Sequence, residues 1–285
     1  MLTVSELKAL LGTHQIRLTK RLGQHHLINA RAIHRIVESC RLSGEDTVVE
    51  IGAGLGALTE GLAQKAKRVI AVEVDRRIGA LLTERMASLK QVTVACEDIL
   101  EFAWDRVPGV VVVGAIPYQI TSPIIVSLCE SRRFIQRAML VMQTEVAQRL
   151  VAQPGTRAYS RLSVLAQCGW QVEARFSIPC SAFFPPPEVD STCVRLLNHP
   201  QPRVARAQES LFFTVVKAAF SQRRKTLVNC LSGLAVTRQK GGEGYLTRSI
   251  IEAVLNRLEF DTSVRGEMLS IEQFVALTDE LACLA

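Results

Sequence analysis

The stretch that most limits the fold of this chain is Val48-Val49-Glu50-Ile51-Gly52-Ala53-Gly54-Leu55-Gly56. An apolar, β-branched run breaks there into a glycine-rich turn and then into a helical pattern, which reads as a buried strand followed by a helix. The pattern repeats. Strand patterns at residues 69–74, 92–95, 110–113 and 137–143 alternate with helical patterns at 55–63, 78–89, 122–129 and 145–151. Such alternation predicts an α/β, Rossmann-like domain, with a mostly parallel sheet and helices on both faces. Residues 4–11 and 30–40 have helical spacing, residues 162–168 and 171–178 extend the domain, and residues 189–196 alternate like a final strand.

A polar, proline-interrupted linker, Asn198-His199-Pro200-Gln201-Pro202, marks a boundary. It divides a first domain, 1–199, from a second, 200–285. Beyond residue 207 the patterns are helical only, at 211–219, 224–231, 250–255 and 271–281, interrupted at Gly241-Gly242-Glu243-Gly244. The tail is therefore expected to be a small all-α domain.

The glycine turn lets a ligand approach the backbone, and the helix after it directs amides at that ligand. Glycines at such turns also occur for steric reasons alone, so the context matters. Glu73 lies at the end of the next strand, 21 residues after Gly52, where an acid can hold two ribose hydroxyls. That pair suits a nicotinamide dinucleotide equally well. Two features favour S-adenosylmethionine: Glu50 before the first glycine in place of the dinucleotide spacing, and Glu97-Asp98 after the third strand, where a carboxylate can accept from an adenine amino group. Taken alone, Asp98 also reads as a helix N-cap.

Formal net charge is +7, which favours a polyanionic partner such as nucleic acid and is also compatible with an ordinary basic enzyme. Basic residues cluster at Arg17, Lys20 and Arg21, at Arg132 and Arg133, and at Arg223, Arg224 and Lys225, the last run being read as helical. Eight cysteines, none in C-x-x-C spacing, predict reduced, buried thiols and neither a disulfide framework nor a metal site. No apolar run approaches the ~20 residues of a membrane span. A cytoplasmic protein without a membrane partner is expected.

Several ordered motifs carry a resemblance. They are Lys20-Arg21-Leu22-Gly23-Gln24-His25-His26-Leu27, the glycine turn, Glu73, Asp98, Gly114-Ala115-Ile116-Pro117-Tyr118, Gln143 to Leu150, Pro154-Gly155-Thr156, Phe183-Phe184-Pro185-Pro186-Pro187-Glu188-Val189-Asp190-Ser191, and Ala219 to Leu227. With these the chain resembles the KsgA-type small-subunit ribosomal RNA adenine dimethyltransferases over nearly its whole length. The resemblance implies S-adenosylmethionine-dependent dimethylation at N6 of two adjacent adenines near the 3′ end of the small-subunit RNA, in ribosome biogenesis. It implies cofactor positions at Gln24, His25, Leu27, Gly52, Gly54, Glu73, Asp98 and Ala115. It places the flipped adenine at Ile116, Pro117, Tyr118 and Phe183. The basic residues Arg17, Lys20, Arg21, Arg223, Arg224 and Lys225 would meet RNA, the partner being the small ribosomal subunit and the protein a monomer.

Two positions depart from the family pattern. His26 stands where the family usually has Phe, and Ala115 where it has Asn. An Asn carbonyl and the backbone carbonyl at Pro117 would accept from the adenine amino group and aim its lone pair, while Tyr118 and Phe183 stack on the base. Alanine cannot make that contact, so reduced activity with retained cofactor binding is expected. A knock-down substitution, a non-catalytic ribosome-assembly factor, and compensation by another side chain are the accounts left open, with no compensating candidate visible in the sequence. A large-subunit RNA adenine methyltransferase is a further alternative on the same catalytic core; the Gln222 to Thr226 and Phe-Phe-Pro-Pro-Pro runs favour the small-subunit type.

Overall fold

The computed structural model describes residues 2–16, 18, 23–237 and 243–284. Arg17, Lys20 and Arg21 lie outside the described residues. The chain forms two compact units, Met1–Ala147 with Val172–Asn198, and Gln148–Gln171 with His199–Ala285. The sequence boundary assigned all of 1–199 to the first domain; residues 148–171 instead cluster with the C-terminal unit.

The first unit begins with α1 (Val4–Thr13), β1 (His26–Leu27) and α2 (Ala30–Ser39). The alternating series follows: β2 (Thr47–Ile51), α3 (Thr59–Ala63), β3 (Arg68–Val72), α4 (Arg76–Met86), β4 (Val92–Ala95), β5 (Val110–Ala115), α5 (Thr121–Glu130), β6 (Ile135–Gln143) and α6 (Thr144–Leu150). After α7 (Arg161–Gly169) come β7 (Trp170–Ile178), β8 (Phe183–Phe184) and β9 (Ser191–Asn198). Seven strands form one sheet in the order β4-β3-β2-β5-β6-β9-β7. The pairs β2/β3, β3/β4, β2/β5 and β5/β6 are parallel, and β6/β9 is antiparallel. The sheet runs outward from β2 in both directions, so the C-terminal ends of β2 and β5 flank a switch in strand order, where open α/β sheets bind ligands.

The central strands are apolar throughout because both sheet faces are covered. Val110, Val111, Val112 and Val113 of β5 are all buried, as are Val48 and Val49 of β2. Ile36 and Val37 of α2 and Leu62 of α3 share one core cluster with Val48, Val111 and Val113. Each such side chain contributes about 1.5–3 kcal/mol when fully buried.

β5 continues two residues past the expected end, with Ala115 paired to Val141, so Ala115 is the last strand residue and not part of a free turn. The helix expected from residue 55 begins at Thr59, because the chain between is still in the glycine turn. Gly52 and Gly54 adopt φ of +66° and +56°, a region open to glycine and costly for other residues.

A separate two-stranded ribbon pairs β1 with β8, placing His26 opposite Phe184 and Leu27 opposite Phe183. It joins the Gln24 to Leu27 motif to the Phe-Phe-Pro-Pro-Pro motif.

The C-terminal unit contains α8 (Glu209–Ala219), α9 (Leu227–Leu231), β10 (Ala235–Thr237), β11 (Glu243–Tyr245), α10 (Arg248–Arg257) and α11 (Ile271–Leu284). The tail is helical apart from the β10/β11 antiparallel pair, which the all-α expectation missed. Arg223, Arg224 and Lys225 lie in a turn between α8 and α9, not in a helix. Thr226 sets the start of α9 there by accepting from the Asn229 amide as its N-cap. No described helix is long and apolar enough to cross a membrane. No disulfide joins the eight cysteines; Cys40, Cys129, Cys168 and Cys193 are buried, whereas Cys96 and Cys283 are exposed, against the expectation of buried thiols.

Candidate active site

At the C-terminal ends of β2, β3, β4 and β5 lies a cleft with an empty volume of about 880 Å3, open solvent included. Gly52 and Gly54 form one wall, Glu73 and Asp98 another, and Gln24, His25, Ala115 and Pro117 border it. Val74, Ile78 and Ile99 add apolar surface; sequence reasoning missed them, although each adjoins or follows a motif acid. A second cavity of about 580 Å3 continues past the glycine turn and shares His25, His26, Gly52, Gly54 and Ala115 with the first. Leu27 and Glu50 line this second part.

Glu73 does more than face the cleft. Its carboxylate accepts from the Gly54 amide at 2.9 Å and from the Asp75 amide at 3.0 Å, which ties the glycine turn to the end of β3. Burial raises its pKa against the lowering effect of those amides. Asp98 caps the turn that follows β4 by accepting from the Leu100 amide at 2.9 Å, as its alternative reading expected, and it also borders the cleft. Gln24 donates to Asp75 at 3.2 Å, and Asp75 in turn caps α4 through the Arg77 amide. Glu50 is buried, accepts from the Thr59 hydroxyl at 2.6 Å, and its pKa is pushed up by burial to about 8.

His26 is the uncomfortable member of the wall. Its Nε2 is buried without a hydrogen-bond partner. Burial, with a smaller contribution from His25, lowers its pKa to about 4. Its ring stands so close to the turn that a Cβ at Gly54 would come within 3.0 Å of Nδ1.

A third, smaller cavity of about 230 Å3 adjoins the end of β5. Its walls are Ala115, Ile116, Tyr118, Val141 and Phe183, with Gly23 and His25 at its border. Pro117 lines the large cleft and is absent from this wall. Its carbonyl accepts from the Ile120 amide at 3.2 Å and the Thr121 hydroxyl at 3.1 Å. The first turn leading into α5 thus already uses this carbonyl. Tyr118 is anchored by a 2.7 Å hydrogen bond between its hydroxyl and that of Ser191, which gives the Pro-Glu-Val-Asp-Ser run a structural purpose. Burial raises the phenol pKa.

Arg223 does not present a bare charge. It pairs with Glu267 at 2.7 Å and donates to the Arg157 carbonyl within the C-terminal unit. Arg224 and Lys225 are exposed. In the first unit the Arg133 guanidinium lies 4.5 Å from the Phe134 ring centroid. Among the described residues there is no cluster of three or more metal-ligating side chains.

The two cavities, which share His25, His26, Gly52, Gly54 and Ala115, fit an elongated nucleoside–amino acid cofactor. Glycines leave the turn bare where a Cβ would intrude, and acids stand at two successive strand ends. Fold and cleft define an S-adenosylmethionine-dependent methyltransferase of the α/β class. The chain matches the family model for ribosomal RNA adenine dimethylase over residues 15–276, and it belongs to that family. It is 38% identical to a ribosomal RNA small subunit methyltransferase A of Bacillus mycoides (strain KBAB4), over 98% of this chain and 96% of the relative. A Bacillus cereus (strain B4264) protein of the same name matches equally. Among solved structures it is similar to a dimethyladenosine transferase from Plasmodium falciparum, with TM-score 0.73, 26% identity, and 89% and 96% of the two chains covered. It is also similar to the 23S rRNA methyltransferase ErmE, with TM-score 0.66, 27% identity, and 90% and 99% covered.

Proposed function

We propose that this chain dimethylates N6 of two adjacent adenines near the 3′ end of small-subunit ribosomal RNA, at a rate reduced by Ala115. The observation that carries this reading is the meeting, at the end of β5, of a nucleoside cleft bordered by Glu73 and Asp98 with a small cavity walled by Tyr118 and Phe183. The small-subunit assignment is supported by curated relatives of that name at 38% identity across the chain.

S-adenosylmethionine supplies an activated methyl group when bound. The chain's own work is then mainly positioning. Glu73 accepts ribose hydroxyls with the lone pairs its two amide donors leave over, and Asp98 accepts from the cofactor's adenine amino group. Gln24, His25, Leu27, Gly52, Gly54 and the Ala115 backbone complete that wall. Ile116, Pro117, Tyr118 and Phe183 form the turn and the faces that receive the flipped base, excluding water from the reacting nitrogen. N6 is a weak nucleophile because its lone pair is delocalised into the ring. An acceptor at position 115 would localise that pair, and alanine has none. One preorganised polar contact of this kind is worth about 3 kcal/mol, roughly 10²–10³ in rate.

RNA is held by phosphate contacts from exposed basic residues, among them Arg224 and Lys225. Arg17, Lys20, Arg21 and Arg223 complete the set expected from sequence, with the charge of Arg223 shared with Glu267. The protein acts as a cytoplasmic monomer on the small subunit. Ala115 also favours a second reading, an assembly factor that binds cofactor and particle without turnover. Mass measurement of adenines in small-subunit RNA incubated with the chain and S-adenosylmethionine tests the proposal. Dimethyladenosine in that RNA is expected; methyl groups on large-subunit RNA alone, or none over long incubation, would overturn it.

A further inference from the structure

The reaction proposed above needs an acceptor for the adenine amino group, and few of the described side chains that border the small cavity offer one. In the small cavity Ala115, Ile116, Val141 and Phe183 carry no polar side-chain atom. The Tyr118 hydroxyl is held by that of Ser191 at 2.7 Å, and the Pro117 carbonyl is taken by Ile120 and Thr121. Among the described residues, His25 is the other polar side chain that borders this cavity. His25 also borders both parts of the cofactor cleft, so this residue is shared by all three cavities.

The ring is held in a defined state. Nδ1 lies 2.7 Å from the Pro185 carbonyl oxygen. A carbonyl only accepts, so in the neutral imidazole the proton sits on Nδ1 and Nε2 carries the lone pair. The ring also stacks on Tyr118, with centroids 5.5 Å apart and planes inclined by 27°. Stacking and the Pro185 bond together fix the imidazole plane and put the accepting nitrogen on the side of the ring away from Pro185.

We infer that His25 Nε2 accepts the hydrogen bond from the exocyclic amino group of the target adenine, taking over part of the work of the side chain that Ala115 lacks. The inference rests on the proposed methylation reading. It names the compensating side chain that the sequence did not reveal, and it gives this chain a residual rate that depends on an imidazole. His25 then has a role toward the base beyond the cofactor position implied by family resemblance.

The test uses the full chain saturated with S-adenosylhomocysteine. Its affinity is measured for a short RNA with two adjacent adenines and for the same RNA with purine, lacking the 6-amino group, in their place. The parent should prefer adenine by about tenfold, and His25→Phe, which keeps an aromatic ring on Tyr118, should lose that preference when each protein is held at S-adenosylhomocysteine concentrations that saturate it. Absence of a preference in the parent, or its persistence in His25→Phe, overturns the inference. In methylation assays His25→Phe should lower the turnover rate at saturating RNA by about 10²-fold in the parent and by less than tenfold alongside Ala115→Asn. Equal losses in the two backgrounds would also overturn it. A preference that depends on His25, with no methylation by Ala115→Asn, would refute the proposed reaction and leave the His25 contact standing.

Discussion

The Glu73 carboxylate accepts from the Gly54 amide at 2.9 Å, so the acid expected to hold the ribose also holds the turn that must stay open for it. Glu73→Ala should therefore damage two properties together. Loss of hydrogen bonds to a charged acceptor costs about 1.5–3 kcal/mol each. Affinity for S-adenosylhomocysteine should fall at least tenfold by calorimetry, and the melting temperature of the ligand-free chain should fall as well. A normal melting temperature would confine Glu73 to ligand contact.

Ala115→Asn should raise adenine methylation by about 10²–10³-fold with S-adenosylhomocysteine affinity changed by no more than a few-fold. Single-turnover measurement on small-subunit RNA checks this. Equal rates would show that the contact is not needed.

His26→Phe should stabilise the protein, because it replaces a buried, unpartnered imidazole nitrogen with carbon. The gain should depend on pH. The folded-state pKa of His26 is about 4 against an ordinary value of 6.5, so between those values the unfolded chain binds a proton that the folded chain does not. The parent loses stability as pH falls through that window, and the advantage of His26→Phe should grow by about 3 kcal/mol between pH 7 and pH 4. Urea unfolding of both proteins across that range measures it; a constant gap would mean that folding leaves the His26 pKa unshifted.

Gly114→Ala should be destabilising although alanine suits a strand. A Cβ at Gly114 would lie 2.6 Å from the Ile51 carbonyl oxygen and 3.0 Å from the Ile51 Cβ. Backbone cannot swing aside as a side chain can, so β2 and β5 would be forced apart just before Gly52 and Ala115. A cost of about 1–3 kcal/mol and weaker cofactor binding are expected from thermal melts and calorimetry.

Arg224→Ala should lower the slope of log affinity for small-subunit RNA against log salt by about one unit, as one phosphate contact does. Arg223→Ala should change the slope less, because Glu267 already neutralises that guanidinium. Equal changes for the two variants would mean that RNA displaces Glu267.

The parts of the fold readable in the sequence were those with strong local signals. Val92–Ala95 was read to the residue, and the glycine turn located the cleft. What was not readable depended on partners distant in the chain. Two-residue strands such as β1 and β8 have no period to detect, so the bond from His25 to Pro185 and that from Tyr118 to Ser191 had no local trace. The turn at Arg223 was read as helix because its basic residues are good helix formers, yet Thr226 starts α9 after them. The short β10/β11 pair was hidden by the helical patterns around it.

The β1/β8 ribbon also sets an order of events during synthesis. A nascent chain extended to Gln143 has supplied β2 to β6, hence the glycine turn, Glu73, Asp98 and the Tyr118 turn. Phe183, Pro185 and Ser191 are still to come, and domains tend to fold as their segments emerge. The proposed methyl-donor cleft can thus take shape before the proposed base site has both its faces. A chain terminated there would carry the Tyr118 turn without its Phe183 wall and without the Ser191 anchor.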